Sequence, residues 1–204
     1  IYTSPHTLSL HDALPICCRA AEERGFSVVY GDVLGPTTLA RLRLERARAA
    51  IGLTTNPALN QLFVLEAMQE FDVPEGYVAI DPNVGSEAAL LARRQSVSVL
   101  FDRPKDVERW NVRIRHQAVV RVRLRARDRD AKVPSVLEAG SLASAGSPDP
   151  FLILVVHRDA WRPMETDRAL RSGDEAIALL HCDEAELATA RLRELGWEVV
   201  DSPS

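Results

Sequence analysis

From residue 17 onward the chain alternates between short apolar runs and stretches in which apolar positions return every three or four residues. The runs at residues 26–30, 49–53, 77–80 and 97–101 have strand length, and the first three lead into Gly31 and Asp32, Thr54 and Asp81. Helix signals follow. Pro36 suits a first helical turn, with Leu39, Leu42 and Leu44 as the apolar stripe before Arg48. Asn56 fits an N-cap and Pro57 the first helical position, while Leu59, Leu62, Phe63, Ala67 and Phe71 share helical spacing. Residues 86–94 read as another helix, and residues 19–24 as the tail of one stopped by Gly25. Apolar strands alternating with helices predict right-handed crossovers and a parallel sheet with a ligand crevice at its carboxyl ends.

The pattern changes after residue 101. Residues 104–115 suggest a helix carrying Trp110, and residues 118–126 alternate with period two, Val120, Val122 and Leu124 against Arg121, Arg123 and Arg125. A Pro-, Gly- and Ser-containing stretch reads as a linker. Beyond it come an apolar strand at 151–156, a turn at 157–160, an extended return at 161–163, a turn at 172–174 and a strand at 176–180. Asp183 is placed to cap a helix through Leu195 that Gly196 ends, before a last strand at 197–200. The expected fold class is therefore α/β, an incomplete Rossmann-like doubly wound parallel sheet with a second, smaller α+β domain. The expected division is a leader at 1–16, a truncated nucleotide-binding domain at 17–126, a linker at 127–150 and a small domain at 151–204.

The fold is expected to be incomplete because no strand, G-x-G-x-x-G turn and helix precede Cys17, nor a strand ending in a ribose-binding acid. Residues 10–16, Leu-His-Asp-Ala-Leu-Pro-Ile, closely resemble the peptide encoded by sequencing-adapter DNA translated in frame with a gene fragment. Residues 1–16 thus read as non-native, with a short natural leader as the alternative.

Composition narrows the picture little. Hydrophobic residues at 46% and charged residues at 26% are globular values, and a net charge of −4 argues against a general nucleic-acid binder. Of 25 basic residues only Lys105 and Lys132 are lysine. Cys17, Cys18 and Cys182 form neither a disulfide framework nor a metal-ligand spacing, which favours a reducing compartment. No apolar run approaches the roughly 20 residues that cross a bilayer. The arginine face of 118–126 reads as a solvated surface, or alternatively as a stripe for anions. Trp110 reads as a packing or dimer-contact residue.

The ordered motifs Val28-Val29-Tyr30-Gly31-Asp32, Glu45 through Thr54, and Asn56-Pro57-Ala58-Leu59-Asn60 resemble the N-terminal nucleotide-binding domain of the regulator of K+ conductance family. This Trk-type domain is carried on the cytoplasmic side of bacterial potassium channels, potassium uptake systems and cation:proton antiporters. The resemblance spans residues 17–101. Residues 166–177, with Leu170 and then Gly173-Asp174 before an apolar strand, more weakly resemble the family's C-terminal domain. The likeness implies binding of NAD(H) or ATP, pairing as a homodimer, and a membrane transport domain as partner, on the cytoplasmic side of the membrane. It places Asp32 near the adenine and Thr54, Thr55 and Asn56 along the nucleotide cleft. A carboxylate can accept from an exocyclic amine, and groups at a helix N-terminus can address phosphate or ribose. Asp32 is equally readable as a turn-forming or capping carboxylate, and Asn56 as an N-cap alone.

No catalytic or metal residues are expected. His116, His157 and His181 lack metal-pair spacing, and no G-x-S-x-G or G-x-x-x-x-G-K-[ST] motif occurs. His181 and Cys182 are neighbours on a strand and point to opposite faces. The leading expectation is a nucleotide-sensing regulatory module of a monovalent cation transporter. A soluble NAD(P)-dependent oxidoreductase and a structural dimerisation scaffold are the alternatives.

Overall fold

The structure is a computed structural model that describes residues 16–82, 92, 94–127, 149–166 and 168–201. The expected leader apart from Ile16, most of the expected helix at 86–94 and most of the expected linker lie outside the described residues.

Helices α1 (Ile16–Glu23) and α2 (Pro36–Leu42) precede strand β1 (Ala49–Gly52), helix α3 (Pro57–Glu70) and strands β2 (Glu75–Val78) and β3 (Ser98–Val99). The strands form a parallel sheet in the order β1-β2-β3, with Ala49 opposite Glu75 and Tyr77 opposite Ser98. Both faces of the central strand β2 are covered, as a buried parallel strand demands. Ala50, Val78 and Val99 pack with Leu39, Leu44, Phe63, Val64 and Ala67 on one side, and Tyr77 and Ala79 face the opposite cluster. Gly25, at φ +85°, ends α1 in the left-handed conformation that its position predicts.

Three sequence expectations are corrected here. Residues 26–30 form no strand, with Phe26 67% and Tyr30 41% exposed. In doubly wound order a third strand pairs with the second and not with the fourth, and no described strand lies beside this segment. The helix from Pro36 stops at Leu42 because Arg43 turns left-handed at φ 51°, and a 3-10 turn, Leu44–Arg46, replaces its continuation. On α3 the buried positions are Asn60, Phe63, Val64 and Ala67, whereas Leu62 is 55% exposed. A helix apolar on most of its circumference gives no unique stripe, so the sheet selects the face.

Helix α4 (Val107–Arg115) leads into β4 (Val119–Ala126). Strands β5 (Phe151–His157), β6 (Trp161–Pro163) and β7 (Glu175–His181), helix α5 (Ala185–Glu194) and strand β8 (Trp197–Asp201) complete the described elements. The second sheet is antiparallel, in the order β6-β5-β7-β4-β8. On β4, Val122, Leu124 and Ala126 are buried while Arg121, Arg123 and Arg125 are exposed. Arg123 and Arg125 face Glu175, and Arg127 pairs with Glu198, so this face is a largely compensated one. Strand β5 is apolar from Phe151 to Val156 because it is sandwiched: Phe151, Ile153 and Val156 join Trp197 and Leu192, whereas Leu152 and Leu154 join Tyr77 and Trp110. Asp183 does not cap α5. A 3-10 turn, Cys182–Glu184, intervenes, and the N-cap residue Glu184 makes no side-chain cap bond.

The two sheets are hydrogen-bonded into one another through Met164, just past β6. Its N–H donates to Leu154 O at 3.0 Å, and its carbonyl accepts from Phe101 N at 2.6 Å. Leu100 and Glu165 form an antiparallel bridge, and Thr166 N donates to Val99 O at 3.0 Å. One extended segment thus pairs with β5 at its start and with the end of β3 at its finish.

Candidate functional site

The carboxyl ends of β1 and β2 open toward the starts of α3 and α4, which places the turns Thr54–Asn56 and Asp81 at one crevice. Its larger part is a cavity of about 300 Å³ beside β1, lined by Val33, Ile51, Leu53, Thr54, Leu59 and Phe63 among others. A smaller polar recess of about 60 Å³ continues from Thr54 and Thr55 to Asp81, Lys105, Val107 and Glu108. The first is lined mostly by apolar side chains with a polar end, and the second by Thr54, Thr55, Asp81 and Glu108 together with Pro57, Ala79 and Val107.

Asn60 builds the turn between them. Although on the helix face that packs against β1, it is 1% exposed. Its Oδ1 accepts from Thr54 N at 2.9 Å and from Thr54 Oγ1 at 2.6 Å, and its Nδ2 donates to Thr54 O at 2.9 Å and Ala79 O at 3.4 Å. All these groups are satisfied, as burial requires. Gly52 permits the close packing: a Cβ there would lie 2.7 Å from Asn60 Cβ. The sequence signal was a polar residue at helical spacing with Phe63, Val64 and Ala67, which the stripe through Leu62 passed over.

The structure places the four expected ligand-binding residues as follows. Thr54 lines both cavities, and its hydroxyl also accepts from Asn56 N at 3.2 Å. Thr55 lines the recess and is exposed. Asn56 caps α3, its Oδ1 accepting from Leu59 N at 3.1 Å. Asp32 is exposed and its Oδ1 accepts from Leu34 N at 3.1 Å in a local turn, while the adjacent Val33 lines the larger cavity with Thr54. Three of the four thus sit on one turn, and Asp32 borders the cavity through its neighbour.

Beneath the recess lies a buried charge cluster that the sequence reading did not single out. Lys105 Nζ, with a fully buried side chain, meets Asp149 Oδ1 at 2.7 Å, Asp102 Oδ1 at 3.3 Å and Phe151 O at 2.8 Å. Asp149 also accepts from Arg103 at 3.0 Å and from the Trp110 indole at 3.0 Å. Burial pushes the Asp149 carboxyl up, but Lys105, Arg103 and the indole outweigh it and hold it below the usual carboxylate range. Arg113, whose pKa burial and Arg109 lower, donates to Asp149 O at 2.7 Å and pairs with Glu184. The one available signal was compositional, a lysine in a chain whose other cations are nearly all arginine. A compact ammonium fits a closed cage better than a planar guanidinium.

Among the described residues no group of three or more His, Cys, Asp or Glu side chains could hold a metal ion, and no described helix is long and apolar enough to cross a membrane.

Residues 11–93 match the family model of the TrkA-N domain, beginning inside the segment expected to be a leader. No curated protein matches the chain. Among solved structures it is similar to the GsuK RCK domain, at 14% identity and TM-score 0.34, over 90% of this chain and 40% of that one. It is also similar to the GsuK channel, at 16% identity and TM-score 0.34, over 90% of this chain and 33% of that one. A third is the GsuK channel bound to NAD, at 13% identity and TM-score 0.30, over 79% of this chain and 30% of that one. The chain therefore spans less than half the length of each. Residues 11–93, about two fifths of the chain, are thus similar to a Trk-type TrkA-N domain, and the parallel sheet described within this part is Rossmann-like.

Proposed function

We propose that this chain is a nucleotide-sensing regulatory module of a monovalent cation transport system, either a potassium system or a cation:proton antiporter, acting on the cytoplasmic side of the membrane. The observation that carries the reading is the crevice where β1 and β2 end, with an apolar cavity beside a polar recess and two helix starts around them. A cavity of about 300 Å³ is at the small end for ligand sites and suits an adenine ring with its ribose better than a whole dinucleotide. Val33, Leu53 and Leu59 offer apolar faces for the ring, Asp32 at its border an acceptor for the exocyclic amine, and the Thr54–Asn56 turn donors for ribose or phosphate. NAD(H) and ATP share that adenosine portion. The match to the TrkA-N domain, and the NAD named for one of the similar channel structures, support the same ligand class.

The regulatory mechanism is population shift. Nucleotide binds one arrangement of a homodimer more tightly than another, and a membrane transport domain reads the difference. The module performs no chemistry on the nucleotide.

Titration of the chain with NADH, NAD and ATP, followed by thermal unfolding, tests the ligand. At about 100 times Kd a single-site ligand contributes about 2.7 kcal/mol, which raises Tm by about 5–10 °C for a chain of this size. Asp32→Ala and Thr55→Ala should each weaken binding about tenfold without lowering the ligand-free Tm, since each removes roughly one hydrogen bond to the ligand. Unchanged Tm with all three nucleotides would leave the crevice without its proposed occupant.

A further inference from the structure

We propose that Lys105 is the positioning residue that couples the crevice to the antiparallel sheet, a regulatory role resting on the nucleotide reading above. One residue joins the two places. Its backbone N–H donates to Ile80 O at 3.0 Å, fixing it to the segment just past β2, and it lines the recess with Thr54, Thr55, Asp81 and Glu108. Its ammonium group, on a fully buried side chain, reaches Asp149 and Phe151 O at the start of β5, and lies 4.9 Å from the Phe151 ring centroid.

The burial of that ammonium makes the link stiff. A fully buried cation is tolerable only while its acceptors follow it, and parting it from Asp149 and Phe151 O would leave Asp102 as its remaining partner among the described residues, in a low-dielectric interior. A ligand in the recess that shifts the Lys105 backbone therefore draws Asp149 and Phe151 along. Asp149 in turn carries Arg103, the Trp110 indole and, through its carbonyl, Arg113, so the start of α4 and the start of β5 share one anchor. Met164 ties Leu154, in the middle of β5, to Phe101, just past β3, by backbone bonds.

Coupling is reciprocal, so it can be read from either end. Hydrogen exchange of the whole chain is measured with and without saturating NADH or ATP, in wild type, Lys105→Met, Asp149→Asn and Lys105→Arg. In wild type, nucleotide slows exchange at the crevice turn, residues 53–56, and at β5, each by about fivefold or more. In Lys105→Met, which keeps the apolar stem, nucleotide raised until the variant is saturated still protects the turn, while the response at β5 disappears. Lys105→Arg restores part of it. Without any nucleotide, Asp149→Asn speeds exchange at residues 53–56 by about threefold or more, although the substitution sits on the far side of the joint. An unchanged response at β5 in Lys105→Met, or an undisturbed turn in Asp149→Asn, overturns the coupling. Failure of wild type to bind any nucleotide overturns the ligand reading instead, and the ligand-free comparison still decides the link.

Discussion

Asn60 shows how much one side chain settles at this site. Its four hydrogen bonds hold the turn that presents Thr54 and Thr55, and its backbone leaves room for nothing larger than Gly52. Truncation to alanine strands the Thr54 N–H, so Asn60→Ala should destabilise by roughly 1–3 kcal/mol in urea unfolding. A loss below about 0.5 kcal/mol would mean that water replaces the amide without penalty. Tyr77 offers a second measurement. Burial, and then its bond to Glu75 at 2.7 Å, push the phenol up to about 12. A raised folded pKa means that the neutral phenol contributes stability fully present below its unfolded value near 10 and lost as pH rises through 12. Ultraviolet titration should show one tyrosine ionising near 12, with unfolding free energy falling between pH 10 and 12. Glu75→Gln should bring that ionisation down, and a single step for all tyrosines near 10 would contradict the environment described.

Among the elements, β1 carries the most conspicuous exposure. It is an edge strand of the described sheet, with Ile51 45% and Leu53 49% exposed. An open apolar edge is a template for pairing with another chain. The isolated chain should therefore associate with rising concentration, and Ile51→Lys should shift it toward monomer in sedimentation velocity, by about tenfold in concentration. Identical sedimentation of the two would show that this edge plays no part in association. The same elements show which signals in the sequence were sufficient. Asn56-Pro57 marked the start of α3 because a cap and a first-turn proline act locally. The apolar run at residues 26–30 carried an equally clear strand signal, yet a strand needs a neighbour to take up its hydrogen bonds, and that neighbour is a matter of topology.

At the scale of the molecule, the joint between the sheets decides behaviour. Tyr77, Ala79, Leu100, Phe101, Trp110 and Leu152 form one buried cluster drawn from both, and Met164 bonds to each. The two sheets should open together: β2 and β7 amides should exchange with the same free energy and the same urea slope. A β2 that opens several kcal/mol more easily than β7 would show two independently unfolding units.

Periodicity and local capping chemistry in the sequence determined the α/β class, most of the element positions and the turn Thr54–Asn56 at the end of a buried strand. These depend on contacts a few residues apart, which a linear pattern records. Only the tertiary structure decided that Asn60 rather than Leu62 faces the sheet, that Asp149 and Lys105 meet from 44 positions apart, and that Met164 belongs to both sheets. Each of these depends on which surfaces exclude water together, and burial is a property of the folded whole that no local spacing encodes.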